Sequence, residues 1–133
     1  MSLERFVEAQ EKSYAGALAE LKAGRKTGHW IWWIFPQLRG LGTSHNSTFY
    51  GLAGESEARA YLQHLILGVR YRECVRILHV HLCQGRLEPL ALMGSEIDVL
   101  KLRSSLELFL KVAPTSENGF RSNAAEILQV LIE

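Results

Sequence analysis

The chain has 133 residues, 47% hydrophobic and 22% charged, with a net charge of +1, which describes one globular domain with room for a good core. So neutral a total argues against a general nucleic-acid binder, which would be strongly basic. The opening MSLERFVEAQEKSY lacks the apolar core of a secretory signal, and no apolar run approaches the roughly 18 residues of a spanning helix, so the expectation is a cytoplasmic protein with no membrane role.

The hydrophobic period is helical along almost the whole chain. Over residues 3–23, Phe6, Gln10, Tyr14, Ala17, Leu18 and Leu21 recur at steps of three and four, with Ser2 placed to cap the start and Gly24 to end the helix. Residues 29–35 are ambiguous, because their aromatic and β-branched content suits a strand as well as a helix. Residues 55–64 put Ala58, Tyr61 and Leu62 on one face. Residues 65–82 carry apolar side chains over more than half of the circumference, which predicts a central helix packed on two sides and stopped by Gly85. A short turn of helix follows over 87–93, closed by Gly94. Val99, Leu102, Leu106, Phe109 and Leu110 then define a helix over 96–112, with Pro114 just beyond it. A last helix is predicted over 122–132. No run alternates with period two, so the fold class is all-α: a single orthogonal helical domain, residues 1–133, of about five to seven helices.

One segment stands apart in composition. Residues 24–42, GRKTGHWIWWIFPQLRGLG, hold all three tryptophans, and from Lys22 to Gly54 there is no Asp or Glu against four basic residues, Lys22, Arg25, Lys26 and Arg39. The remainder of the chain is therefore net acidic, and any field that attracts anions is local to this strip.

The same segment, with YGLAGESEARAYLQH, LGVRYRECV and LKLRSSLELF further on, resembles the family catalogued as domain of unknown function 1810, small and mostly bacterial proteins. The likeness runs from the RFVEAQ segment at Arg5 to Phe109. It implies a compact all-helical fold and no particular activity, because the family has none established.

The strip supports two readings. If residues 29–35 are helical, His29, Trp32, Trp33 and Pro36 share one face and Trp30 and Ile34 another, and both faces cannot be solvent. Aromatic rings are usually core; on that reading Trp32 or Trp33 is expected to lie buried against the 65–82 helix. The functional reading makes part of the block a pocket: Arg25 and Lys26, on a glycine-flanked loop, and Arg39 reach a phosphate or carboxylate, Trp30 or Trp33 stacks a flat ring, and Gln37 reads its polar edge. His29 is the titratable group of such a site. The strip offers no carboxylate to orient it, so Glu73, Glu96 or Asp98 would have to come from elsewhere. Arg72 and Arg76, and Lys101 and Arg103, are second choices whose simpler reading is a solvated face.

Other motifs fail on spacing. Residues 19–27, AELKAGRKT, lack the first glycine and the preceding strand of a phosphate loop, and Gly40-Leu41-Gly42 has no third glycine, so no cofactor is indicated. His79 and His81 are two apart on a helix and point about 200° away from each other, and with Cys83 they do not make a metal site. Cys74 and Cys83 read as reduced thiols. Two functions remain: a pocket for a small anionic, ring-bearing ligand such as a nucleotide, or a helical module that docks a protein partner through the aromatic block. A concave site where Arg25, Lys26, His29 and Gln37 converge would favour the first, and a flat apolar patch with a polar rim the second.

Overall fold

The first helix, α1 (Glu4–Ala23), buries Phe6, Gln10, Ala17 and Leu21, four members of the expected stripe, and Ser2 Oγ accepts from the Glu4 amide at 3.1 Å. Its end is fixed by Gly24 in the left-handed conformation at φ 78°, whose N–H and that of Arg25 return to the carbonyls of Leu21 and Glu20. These features belong to a computed structural model describing residues 2–133.

Eight α-helices follow one another, five of them longer than one or two turns, with no strand among the described residues. After α1 come α2 (Ile31–Ile34), α3 (His45–Phe49), α4 (Glu55–Gln63), α5 (Leu67–His79), α6 (Pro89–Met93), α7 (Glu96–Val112) and α8 (Asn118–Ile132). The aromatic segment is thus helical for one turn only, bounded by Gly28 and Pro36. The link beyond it is held by a single parallel bridge, in which the Arg39 amide donates to Leu52 O and the Leu52 amide to Gln37 O.

Two element ends differ from the sequence reading, each for a local reason. Residues 65 and 66 form the corner between α4 and α5, because the Leu62 carbonyl lies where a Cβ on Gly68 would stand, 2.0 Å away; only glycine permits that approach. The far end of α5 widens into a π turn over Val80–Gln84 before it stops at Gly85, the expected residue, and Arg86 beyond it is left-handed at φ 58°. Helix α8 begins at Asn118, four residues before its apolar period becomes visible, and Glu117 at its start pairs with Arg72 of α5 at 2.8 Å. Glu73 meanwhile takes Arg76, so neither second-choice arginine on α5 is free.

Helix α5 is central, packed on α1, α4 and α8, while α7 closes the other side against α4, α6 and α8. Tyr71 is the hub: its ring lies 4.3 Å from Phe109, 5.8 Å from Phe35 and 6.0 Å from Phe120. Its buried hydroxyl is paired with Ser105 of α7 at 2.9 Å, which a buried phenol requires. A second polar knot ties α1 to α2 and α4. There Gln10 Nε2 donates to Trp33 O at 2.7 Å and to the Tyr61 hydroxyl at 3.0 Å.

The tryptophans divide differently from expectation. Neither Trp32 nor Trp33 is fully buried against the 65–82 segment. The core ring is Trp30, 3% exposed, together with Ile31, Ile34, Phe35 and Pro36. A single turn points Trp30 and Ile34 inward and leaves the opposite face half covered. There Trp33 leans on α1, its indole N–H donating to Ser13 Oγ at 2.7 Å, and Trp32 lies under Lys101 of α7. Urea unfolding should show Trp30→Ala costing about 3–5 kcal/mol, clearly more than Trp32→Ala or Trp33→Ala; equal losses at all three positions would contradict this division.

Candidate functional site

The loop from Arg25 to His29 is organised by a carboxylate from outside the strip. Glu20, in the last turns of α1, accepts through one oxygen from the Thr27 amide at 2.7 Å, the Gly28 amide at 2.8 Å and the Trp30 indole N–H at 3.0 Å. Lys26, far from reaching into solvent, is 8% exposed: its ammonium donates to Gly28 O at 2.6 Å, meets Asp98 of α7 at 2.6 Å, and lies 5.0 Å from the Trp30 ring centroid. A buried ammonium needs such a partner. Two of the strip's candidate binders are therefore structural. Trp30 has no free face for a stacked ring, and Lys26 is committed to Asp98.

The other candidates are dispersed. Arg25 is exposed at the loop surface, and Arg39 is exposed and donates to Gly51 O at 3.3 Å. His29 is exposed beside a depression of about 310 Å³ that it shares with Lys26, Met93 and Asp98. Of the three acids considered for His29, the fold brings Asp98 to that depression, where its carboxylate is already engaged. Trp33 borders a separate depression of about 320 Å³ on the α1 side. Gln37 opens onto a third space, a groove of about 650 Å³ between residues 37–47 and α7. Arg25, Lys26, His29 and Gln37 do not converge.

The groove is the place where the second half of the acid-free strip meets cations on another element. Its α7 wall carries Lys101, Arg103, Ile97 and Leu100, and its other wall Gln37 and Leu41. Ser95 caps α7 by accepting from the Asp98 amide at 3.1 Å, and from there one turn separates Asp98 from Lys101. The Lys101 ammonium stands 4.5 Å above the Trp32 ring and 3.8 Å from Asp98 Oδ1, while Asp98 Oδ2 holds Lys26. Arg103 approaches Glu107 no closer than 3.9 Å. Leu41, Ile97 and Leu100 each keep about 60% of their surface in solvent, at 60%, 65% and 59%. The Trp32 indole nitrogen beneath is buried without a partner. Lys101 and Arg103, second choices in the sequence, thus become the principal cations of the site. The signal available for them was the basic character of LKLRSS, and nothing local tied it to the tryptophans.

Among the described residues no group of three His, Cys, Asp or Glu side chains is placed to hold a metal ion, and no helix is long and apolar enough to cross a membrane. Burial pushes the Cys74 thiol up to about 12, although Tyr14 bonds to it, so it is no nucleophile at neutral pH.

Burial alone would raise the Glu20 carboxyl, but the N–H groups of Gly28, Thr27 and the Trp30 indole hold it below its ordinary range. A carboxylate depressed by folding adds stability above its unfolded value and loses it as pH falls through its folded one. Glu20→Gln should therefore be less stable than the parent at pH 7, and the gap should narrow as pH drops below about 4.5, where the protonated acid resembles the amide. Thermal melts across pH 7 to pH 3 provide the check, and a gap that stays constant with pH would remove the charge from this role.

Comparison with known proteins adds a family and a fold. No curated protein matches the chain. A solved structure, the conserved hypothetical protein Rv1873 from Mycobacterium tuberculosis, is 41% identical, with a TM-score of 0.82 over 96% of this chain and 84% of that one. The family described as protein of unknown function, DUF1810, matches residues 1–129. The resemblance carried by the tryptophan block is thereby established: the chain belongs to the DUF1810 family.

Proposed function

We propose that the groove between residues 37–47 and α7 binds a small anionic ligand with an apolar or ring-bearing body, a nucleotide-like molecule being the first candidate. One observation carries this reading. Among the described residues the ion pairs lie at 2.5–3.2 Å, except two, Lys101–Asp98 at 3.8 Å and Arg103–Glu107 at 3.9 Å, and both cations line the groove. The other five ion pairs close at hydrogen-bond distance. Here two positive groups stand beside exposed Leu41, Ile97 and Leu100, so an anionic head has donors to meet and an apolar body has a surface to cover. Gln37 supplies an amide at the same groove. The free thiols of Cys74 and Cys83 support a cytoplasmic setting for such a ligand.

A second reading rests on the same three aliphatic side chains. An apolar strip with a rim of Gln37, Lys101, Arg103, Ser104 and Glu107 has the make-up of a protein-docking surface. Occupancy by small anions distinguishes the two.

Chemical-shift mapping with nucleoside monophosphates, sugar phosphates and aliphatic carboxylates should move the signals of Gln37, Lys101 and Arg103. The Lys101→Ala, Arg103→Ala double variant should stay folded and bind at least tenfold more weakly, since each charged hydrogen bond contributes about 1.5–3 kcal/mol. Shifts centred on Lys26 and His29 would transfer the site to the smaller depression. Silence from the whole panel at millimolar concentration would leave the docking surface as the better reading.

A further inference from the structure

We infer that the depression between α1 and residues 45–50 is a second, independent binding site, shaped for a planar aromatic ring with an anionic substituent. Most aromatic side chains of this protein are buried: Phe6, Phe35, Tyr61, Tyr71, Phe109, Phe120 and Trp30 all lie in the core. A chain of ring contacts nevertheless runs out from that core. Phe6 meets Tyr50 at 5.9 Å, Tyr50 meets Trp33 at 5.0 Å and Phe49 at 4.8 Å, and Phe49 stacks on His45 with the planes 10° apart. The three rings at the surface end, Trp33, Tyr50 and Phe49, wall a space of about 320 Å³, and Phe49 is 47% exposed. That volume suits a single or fused ring.

The opposite side is open because α1 presents small residues there. Ala9 and Ser13 are four apart, hence on one face, and both line the space. Ser13 is fully engaged, its hydroxyl donating to Ala9 O at 2.7 Å while accepting the Trp33 indole N–H at 2.7 Å. Trp33 is therefore held in place before any ligand arrives. Arg5 fixes the far wall, donating to Phe49 O at 2.8 Å and Gly51 O at 3.2 Å and pairing with the buried Glu57 at 3.2 Å. A site whose rings are already immobilised loses little freedom on binding.

The rim decides the charge of the ligand. Arg5 is neutralised by Glu57. Glu8 and Lys12 remain, and among the described residues Lys12 makes no ion pair. Glu8 repels an anion and lies one turn from Lys12 along α1, so the anionic substituent points to the Lys12 end while the ring enters between Ala9 and the aromatic wall. This site shares no lining residue with the groove that carries Lys101 and Arg103.

The test follows the indole signals of the intact protein during titration with five probes: adenosine monophosphate, adenosine, indole-3-acetate, inorganic phosphate and tetramethylammonium. The ring-bearing anions should shift the Trp33 indole N–H and the Tyr50 amide, and phosphate alone should not. Adenosine monophosphate acting without indole-3-acetate would narrow the source to nucleotides, and the reverse to aromatic carboxylates. Lys12→Ala should weaken the anions severalfold and leave adenosine unchanged. Ala9→Leu, a good helix former, should fill the floor and abolish all ring binding, with circular dichroism confirming its fold; if it fails to fold, the Lys12→Ala contrast decides alone. The Lys101→Ala, Arg103→Ala variant should retain these shifts, which separates this site from the groove. An unmoved Trp33 indole would overturn the inference. So would shifts with tetramethylammonium in place of the anions, which would assign the aromatic wall and Glu8 to a cation.

Discussion

The ion pair between Lys26 and Asp98, closed at 2.6 Å with side chains only 5% and 15% exposed, is the contact on which the arrangement of the aromatic segment depends. A strip of 33 residues without an acid cannot fold its cations inward unless carboxylates come from other elements. Three do: Glu20 from α1 gathers the Thr27 and Gly28 amides and the Trp30 indole, Asp98 from α7 takes Lys26, and Glu57 from α4 takes Arg5 and the Ala53 amide. These links pull the segment against both sides of the helical body. They also explain why Trp30, flanked by Glu20 and Lys26, is the buried ring of the block.

The same closure decides which cations remain available. Asp98 holds Lys26 with one oxygen at hydrogen-bond distance and reaches Lys101 with the other only at 3.8 Å. One carboxylate between two ammonium groups leaves a net positive charge, and it lies on the groove side. Lys101 is 21% exposed and rests on the Trp32 face, whose attraction for a cation fixes its position without cancelling its charge. The groove thus acquires its character from a pairing choice made one turn away on α7.

Much of the fold was legible because helix periodicity is a local signal. The stripe from Phe6 to Leu21, the stop at Gly24, and the run from Val99 to Phe109 could be read from spacing alone. The corner at Gly68 could not, since it depends on a carbonyl contributed by α4. The candidate site was less legible for a related reason. Charge composition marked the strip correctly as lacking acids, but the anions that complete it lie 4 to 72 residues away in sequence from the cations or N–H groups they serve, with Glu57 to Ala53 and Asp98 to Lys26 as the extremes. Arg25, Lys26, His29, Trp30, Trp33, Gln37 and Arg39 are neighbours in the chain, yet a single helical turn followed by a proline fans them over a core, an exposed loop and three depressions. Lys101 and Arg103 reach the strip only through the packing of α7.

The most direct measurement is a pair of double-mutant cycles by urea unfolding, one on Lys26→Met with Asp98→Asn and one on Lys101→Met with Asp98→Asn. The first should give a coupling of about 2 kcal/mol or more, as for a buried pair, and the second less than about 1 kcal/mol, as for a loose and solvated one. A Lys101 coupling equal to or larger than that of Lys26 would contradict the assignment, because Asp98 would then belong to the groove and its principal cation would already be neutralised.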